Sequence, residues 1–153
     1  MDIKFYKPTT KDISSMQALV QGEVDRGVIL LRTEDEMATT IRSYTCVSID
    51  GELAGFTALH IHSPKLAEVR SLIVSDKFRG HKLGQKLVEA CKKEAKALDL
   101  EEILSLTYAK GFFESVGFKE INKEDLPEHK IWADCIRCKH FPICDEVALI
   151  YKL

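Results

Sequence analysis

The chain has 153 residues, of which 45% are hydrophobic and 30% charged, and its net charge is −2. This length suits one domain with a sizeable core, so we expect residues 1–153 to form a single domain. The small negative charge argues against a general nucleic-acid binder. Residues 1–30 lack a signal-peptide layout, and no apolar run is long enough to span a bilayer. With an odd count of five cysteines, these features predict a cytoplasmic protein with reduced thiols and no membrane partner.

Apolar spacing, caps and turn residues predict elements in the order β-α-α-β-β-β-α-β-α-β-β. Bounds are predicted for six of these seven strands, at 2–6, 44–49, 52–62, 68–74, 102–108 and 146–151, and for helices at about 11–25, 33–43, 82–98 and 111–116. Residues 121–144 are expected to be irregular. Asp50-Gly51 is a two-residue hairpin signal. The order predicts an α/β (α+β) fold in which helices cover both faces of a mixed sheet.

The most informative segment is a strand followed by a glycine-bearing loop and a helix. Leu72–Val74 is a buried-strand run, Arg79–Gly84 follows it, and Leu83, Leu87 and Cys91 then share one helix face. Backbone N–H groups at a helix start, together with glycines and an arginine, favour a diphosphate ligand. The spacing excludes a Walker loop and a three-glycine dinucleotide fingerprint. An ordinary strand–turn–helix is the alternative.

This loop resembles the acyl-CoA pyrophosphate loop of the GNAT N-acetyltransferases, R/Q-x-x-G-x-G/A after a strand of the form L-x-V. Arg79 and Gly84 match it, whereas Lys82 stands where the family usually has glycine. Phe112–Phe118 resembles the Y/F-x-x-x-G-F signature that closes the helix after the fifth strand. The resemblance implies the GNAT fold, a mostly antiparallel sheet of six to seven strands. Its fourth and fifth strands splay apart to admit the pantetheine arm of acetyl-CoA.

The resemblance also implies which residues would bind the acetyl donor. The pantetheine arm would pair with backbone groups of the fourth strand, and the diphosphate would lie against the loop and the helix start. The expected contacts with acetyl-CoA are Leu72, Ile73, Val74, Arg79, Gly80, His81, Lys82, Leu83, Gly84 and Gln85.

Acetyl transfer to an amine needs a base, a hydrogen-bond donor to the thioester oxygen and an acid for the thiolate. Glu68 occupies a common family position for the base, with half of an ion pair as the alternative. Strand alternation puts Glu68, Arg70, Leu72 and Val74 on one face. A backbone N–H near Ile73 is the expected oxyanion donor.

The acid that protonates the thiolate needs a substitute in this chain. Many family members use a tyrosine four residues before the Gly-Phe pair, and Phe113 stands there. Tyr108, after the fifth strand, is the nearest replacement. A packed strand tyrosine is the alternative.

Four segments, 27–32, 68–74, 126–130 and 132–139, together resemble the short, stand-alone bacterial N-acetylglutamate synthases. This resemblance implies L-glutamate as acceptor, and a dicarboxylate needs two cationic clamps. The candidate cations are Arg32, Arg70, Lys130 and Arg137. Long synthases carry an amino-acid kinase-like domain, but only about eight residues precede the first helix here. We therefore expect no feedback control through such a domain unless a partner chain supplies it; a homodimer is compatible with the sequence.

Two alternative functions remain open. One is a GNAT enzyme for another amine, such as a protein N-terminus, a polyamine or a drug, although the basic residues favour an acidic acceptor. The other is a non-catalytic acyl-CoA-binding or metal-binding regulatory module, since Lys82 and Phe113 depart from the family pattern.

The cysteines fall into two groups. Cys46 and Cys91 lie in strand and helix patterns and are expected in the core. The C-terminal group contains a C-x-x-C pair but has short spacing for a two-knuckle site, so we expect no metal there; structural zinc is the alternative. That group is Cys135, Cys138, His140 and Cys144.

Overall fold

The computed structural model describes residues 1–25, 32–122, 125 and 146–153. Seven strands form one sheet in the order β1-β2-β3-β4-β5-β7-β6. The strands are β1 (Ile3–Tyr6), β2 (Tyr44–Ile49), β3 (Glu52–Ile61), β4 (Leu66–Val74), β5 (Glu102–Thr107), β6 (Lys119–Ile121) and β7 (Val147–Lys152). The helices are α1 (Ile13–Asp25), α2 (Glu34–Thr39), α3 (Leu83–Ala97) and α4 (Lys110–Ser115).

The predicted fold class is confirmed. β4 and β5 pair in parallel, and the other neighbouring strands of the described sheet pair antiparallel. Side chains of α3 and α4 pack in one cluster with the sheet, and those of α1 and α2 pack in another. Cys91 is buried in the first cluster and Cys46 in the second, as predicted. Among the described helices, none is long and apolar enough to cross a membrane.

Local signals place most element ends correctly. The Thr33 hydroxyl accepts the Glu36 N–H at 3.1 Å while the Glu36 carboxylate accepts the Thr33 N–H at 3.2 Å, which is the predicted capping box. Asp50 and Gly51 have φ of +51° and +84°, the left-handed values that a tight hairpin turn of this kind requires.

The second helix ends earlier than predicted. It stops at Thr39, and 41–43 form a 3₁₀ turn instead of its last turn. The Thr39 and Thr40 hydroxyls both donate to the Glu36 carbonyl, at 3.0 and 2.8 Å. Threonine hydroxyls compete in this way for carbonyls that a continuing helix would use.

β4 and β5 separate after a short paired stretch. In the described part of the chain their register joins Leu66–Glu68 to Glu102–Leu104 and goes no further. Beyond that point β4 stays paired with β3 as far as Val74, and β5 stays paired with β7 as far as Thr107. A gap therefore opens between the two strands from Glu68 onward, which is the predicted splay.

A β-bulge interrupts β4 just inside this gap. The register with β3 joins Ala58 to Arg70 and Phe56 to Ile73, so β4 carries one more residue than β3 over this stretch. Ser71 has φ of +54°, a left-handed value that marks the irregular position. A bulge of this kind redirects the side chains that follow it.

The bulge changes which side chains of β4 share a face. Val69 packs on the α3 side of the sheet, so its neighbours Glu68 and Arg70 point to the opposite side. Beyond the bulge, Leu72 and Val74 pack on the α3 side. The prediction that Glu68, Arg70, Leu72 and Val74 share one face was therefore wrong. Simple alternation assumes an uninterrupted pleat, and the extra residue breaks it.

Candidate active site

A buried cluster of three side chains lies where the gap begins. Oε1 of Glu68 accepts a hydrogen bond from Nε of Arg70 at 3.0 Å and lies 2.9 Å from Nε2 of His62. The side chains of Glu68 and His62 are 5% and 6% exposed. The ring of His60 packs edge-on against that of His62, with 4.7 Å between centroids. The ion pair expected as the alternative for Glu68 is thus present, and an imidazole shares the same oxygen.

The turn between β3 and β4 fixes the partner of Glu68. The Ser63 hydroxyl accepts the N–H groups of Lys65 and Leu66 at 3.2 and 3.1 Å, and the His62 N–H donates to the Leu66 carbonyl at 2.9 Å. In this register His60 lies directly opposite Glu68, and the turn places His62 opposite Leu66, diagonal to Glu68. Sequence reasoning missed His62. A hairpin of the predicted strands 52–62 and 68–74 brings this residue near Glu68, but its diagonal position depends on the observed register.

Two predicted acceptor-binding arginines act on one buried phenol. Tyr44 is buried and packs edge-on against Phe56 at 5.9 Å between centroids. Burial raises the pKa of Tyr44; the charge of Arg32, a hydrogen bond with Thr40 and the charge of Arg70 oppose the rise. Tyr44 lies opposite Ala58 and Ala58 lies opposite Arg70 in the sheet register, so Tyr44 and Arg70 lie two strands apart in one row. Tyr44 was not identified from the sequence.

The backbone around Arg70 and Arg32 is held in place. The Thr57 hydroxyl donates to the Arg70 carbonyl at 3.0 Å, next to the bulge. The Gln17 amide donates to the Arg32 carbonyl at 3.3 Å, which ties the start of α2 to α1. These contacts hold the backbone from which the Arg70 and Arg32 side chains extend.

The predicted donor loop has the expected strand–loop–helix geometry. Gly80 has φ of +91°, and Lys82, the N-cap of α3, has φ of +58°. α3 begins at Leu83, so its first backbone N–H groups face the loop rather than an earlier helical turn. The side chain of Arg79 is 67% exposed and donates to Oδ1 of Asp76 at 2.6 Å. A helix start therefore follows β4 and a short 3₁₀ turn, at the position where the resemblance implies the diphosphate site.

Gly84 lies between the donor loop and α4. A Cβ added at Gly84 would meet the ring of Phe112 at 3.4 Å and the Val74 side chain at 3.8 Å. These are ordinary contact distances, so a methyl group fits but a longer side chain must enter the space beside β4.

Residues 16–118 match the model of the acetyltransferase (GNAT) family. The chain belongs to the GNAT family. It is 34% identical over 142 residues to an uncharacterised N-acetyltransferase of Chlorobaculum tepidum, covering 93% of this chain and 91% of that one. It is therefore an N-acetyltransferase that uses acetyl-CoA, which argues against the alternative of a non-catalytic module.

More distant similarities reach the amino-acid acetyltransferases. This GNAT enzyme is 31% identical over 124 residues to the amino-acid acetyltransferase of Haemophilus ducreyi, but it spans only 28% of that protein. The fold is similar to N-acetylglutamate synthase of Neisseria gonorrhoeae complexed with coenzyme A and N-acetyl-glutamate (TM-score 0.87, 21% identity, 100% of this chain and 35% of that one). It is also similar to a Mycobacterium tuberculosis protein complexed with CoA (TM-score 0.83, 19% identity, 98% and 99%).

The GNAT signature helix contributes core rather than an acid. Phe113 is buried, and its ring packs edge-on against Phe112 and Phe118 at 5.1 and 5.2 Å between centroids. Tyr108 lies just past β5 and is 41% exposed, so the alternative of a packed strand tyrosine was wrong.

Several predicted residues of this GNAT enzyme lie outside the described residues. These are Lys130, Arg137, Cys135, Cys138, His140 and Cys144. Among the side chains that are described, no group of histidine, cysteine and carboxylate residues could hold a metal ion. The absence of metal from the C-terminal cysteines stays a prediction.

Proposed function

We propose that this GNAT enzyme transfers the acetyl group of acetyl-CoA to the α-amino group of L-glutamate. The observation that carries the proposal is that Tyr44 lies in the same sheet row as Arg70, which pairs with the buried carboxylate of Glu68, while the charges of Arg32 and Arg70 both oppose the rise in the pKa of Tyr44. Two guanidinium groups suit an acceptor with two carboxylates, because each can form paired charge-assisted hydrogen bonds. The distant similarity to amino-acid acetyltransferases supports the same acceptor. This reaction is the first step of arginine biosynthesis.

In this proposal acetyl-CoA lies along the gap between β4 and β5. Its diphosphate binds the backbone N–H groups at the start of α3 and the side chain of Arg79. The pantetheine arm follows Leu72–Val74, which brings the thioester toward Glu68. A backbone N–H near Ile73 donates to the thioester oxygen as it gains negative charge.

The proton transfers follow from the same arrangement. Glu68 takes part in removing a proton from the acceptor ammonium, directly or through water. The neutral amine attacks the thioester carbon, and the bond to sulfur breaks. Tyr108 donates a proton to the departing thiolate. Lys130 and Arg137 complete the acceptor site.

The acceptor site is tested by comparing Arg32→Ala with Arg42→Ala. Loss of one charge-assisted partner costs about 1.5–3 kcal/mol, or about 10–150-fold in acceptor binding. Arg32→Ala should raise the Michaelis constant for glutamate by that factor and leave the constant for acetyl-CoA nearly unchanged. Arg42 is exposed in the 3₁₀ turn after α2 and is the matched control, with both constants expected near wild type. Equal effects of Arg32→Ala on both substrates would count against the proposed clamp.

A further inference from the structure

His62 is the buried ring next to the proposed site for proton removal. Its Nε2 lies 2.9 Å from Oε1 of Glu68, and both side chains are almost fully buried. The titratable and charged groups that face it include His60 from its own segment and the Glu68–Arg70 pair from β4. No family motif in the sequence points to this residue.

The pairing with Arg70 makes Glu68 a poor final acceptor for a proton. A guanidinium at hydrogen-bond distance stabilises the ionised carboxylate and so opposes its protonation. An imidazole changes charge near neutral pH, so it can take a proton and return it in each turnover. When Nε2–H donates to Glu68, the lone pair for an incoming proton is on Nδ1. The carboxylate then stabilises the imidazolium that forms.

We propose that His62 accepts the proton of the acceptor amine, and that Glu68 acts through it as a positioning residue. This inference rests on the proposed function, because it refines the role of Glu68 in proton removal. It holds for any amine that the enzyme acetylates. Arg70 holds Glu68 ionised and oriented toward the ring.

The steps balance as follows. The acceptor ammonium gives one proton to the His62 imidazole, directly or through one water. The amine lone pair then forms the bond to the thioester carbon, and the carbonyl oxygen becomes an oxyanion. The carbon–sulfur bond breaks, and sulfur leaves with the electron pair. Tyr108 gives its proton to the thiolate and takes the second proton of the nitrogen in its place, directly or through water, and the imidazolium returns the first proton to solvent.

The test compares His62→Gln, Glu68→Gln and the matched control His60→Gln by the pH dependence of kcat/KM. Gln at position 62 keeps an amide nitrogen near the place of Nε2 but cannot take the proton. It should lower kcat/KM by about 10²–10⁴-fold and remove the acidic limb of the profile. His60→Gln should retain that limb. Each profile is measured with the best amine from an acceptor screen, so a preference for an amine other than glutamate leaves this test intact.

Glu68→Gln separates the two assignments of the base. If His62 is the acceptor, loss of the neighbouring carboxylate destabilises the imidazolium, and the acidic limb persists but moves to lower pH. If Glu68 takes the proton itself, Glu68→Gln removes the limb and His62→Gln keeps it, which would overturn the inference. Because a variant can misfold, nitrogen-15 NMR of the wild-type enzyme also follows the charge state of the His62 ring as pH is lowered through the acidic limb. A ring that keeps one charge state over this range would also overturn the inference.

Discussion

Glu68 and Leu104 form the last residue pair in the parallel register between β4 and β5. Past this pair the strands take separate partners, so the gap begins beside the Glu68 carboxylate. The buried cluster of Glu68, His62 and Arg70 therefore lies at the narrow end of the gap. A donor that enters from the start of α3 would bring its reactive end toward this cluster.

Gly84→Asp should largely abolish binding of acetyl-CoA. Its side chain would enter the space between Phe112 and Val74, and its negative charge would lie near the helix start proposed for the diphosphate. Gly84→Ala fits at ordinary contact distance, and Gly84→Asn matches Asp in size without the charge, so both should bind better than Asp. Isothermal titration calorimetry measures the series. An Asp variant that binds like wild type would mean that the diphosphate site lies elsewhere.

Lys82→Gly should preserve or raise the free energy of unfolding, although glycine usually destabilises helices and Lys82 lies at the start of one. Lys82 has φ of +58°, and a left-handed conformation costs a residue with a side chain about 1–2 kcal/mol. Glycine relieves that strain but loses more backbone entropy on folding, so the net gain should be at most about 1 kcal/mol. Lys86→Gly, on an exposed turn inside α3, should instead cost about 1 kcal/mol. Denaturant unfolding measures the free energy of unfolding of both variants. Equal losses in the two would contradict backbone strain at Lys82.

Native Cys46 and Cys91 should resist alkylation at pH 8. Burial raises the pKa of each thiol to about 12 from an ordinary value of 9.0, with smaller contributions from Asp12 and Glu94. Because the unfolded thiols lose their protons at lower pH than the folded ones, the stability that they contribute is present below pH 9 and is lost as pH rises toward 12. Peptide mapping after iodoacetamide treatment resolves each site. Labelling of the native protein as fast as in denaturant would contradict the burial.

Short-range signals predicted most of the fold. The Thr33–Glu36 capping box and the Asp50-Gly51 turn depend on neighbouring residues, so the sequence indicates them directly. The bulge at Ser71 could not be predicted, because serine carries no preference for the left-handed value it adopts. Family resemblance indicated the unusual position of Lys82, and its left-handed backbone explains why glycine is common there.

The candidate site was harder to predict because it depends on residues that are far apart in sequence. Motif positions indicated Arg32 and Arg70, but only the sheet register places Tyr44 in one row with Arg70. The hydrogen bond between His62 and Glu68 requires the observed strand register and a tight turn. Family motifs indicate neither the register nor the turn.

The glutamate assignment is tested most directly by an acceptor panel with purified enzyme and acetyl-CoA, in which thiol release is followed for each amine. Glutamate is compared with glutamine, lysine, spermidine and a peptide with a free N-terminus. We predict the highest kcat/KM for glutamate and a lower value for glutamine, which lacks the side-chain charge. Glutamate acetylated no faster than lysine, spermidine or the peptide would contradict the assignment.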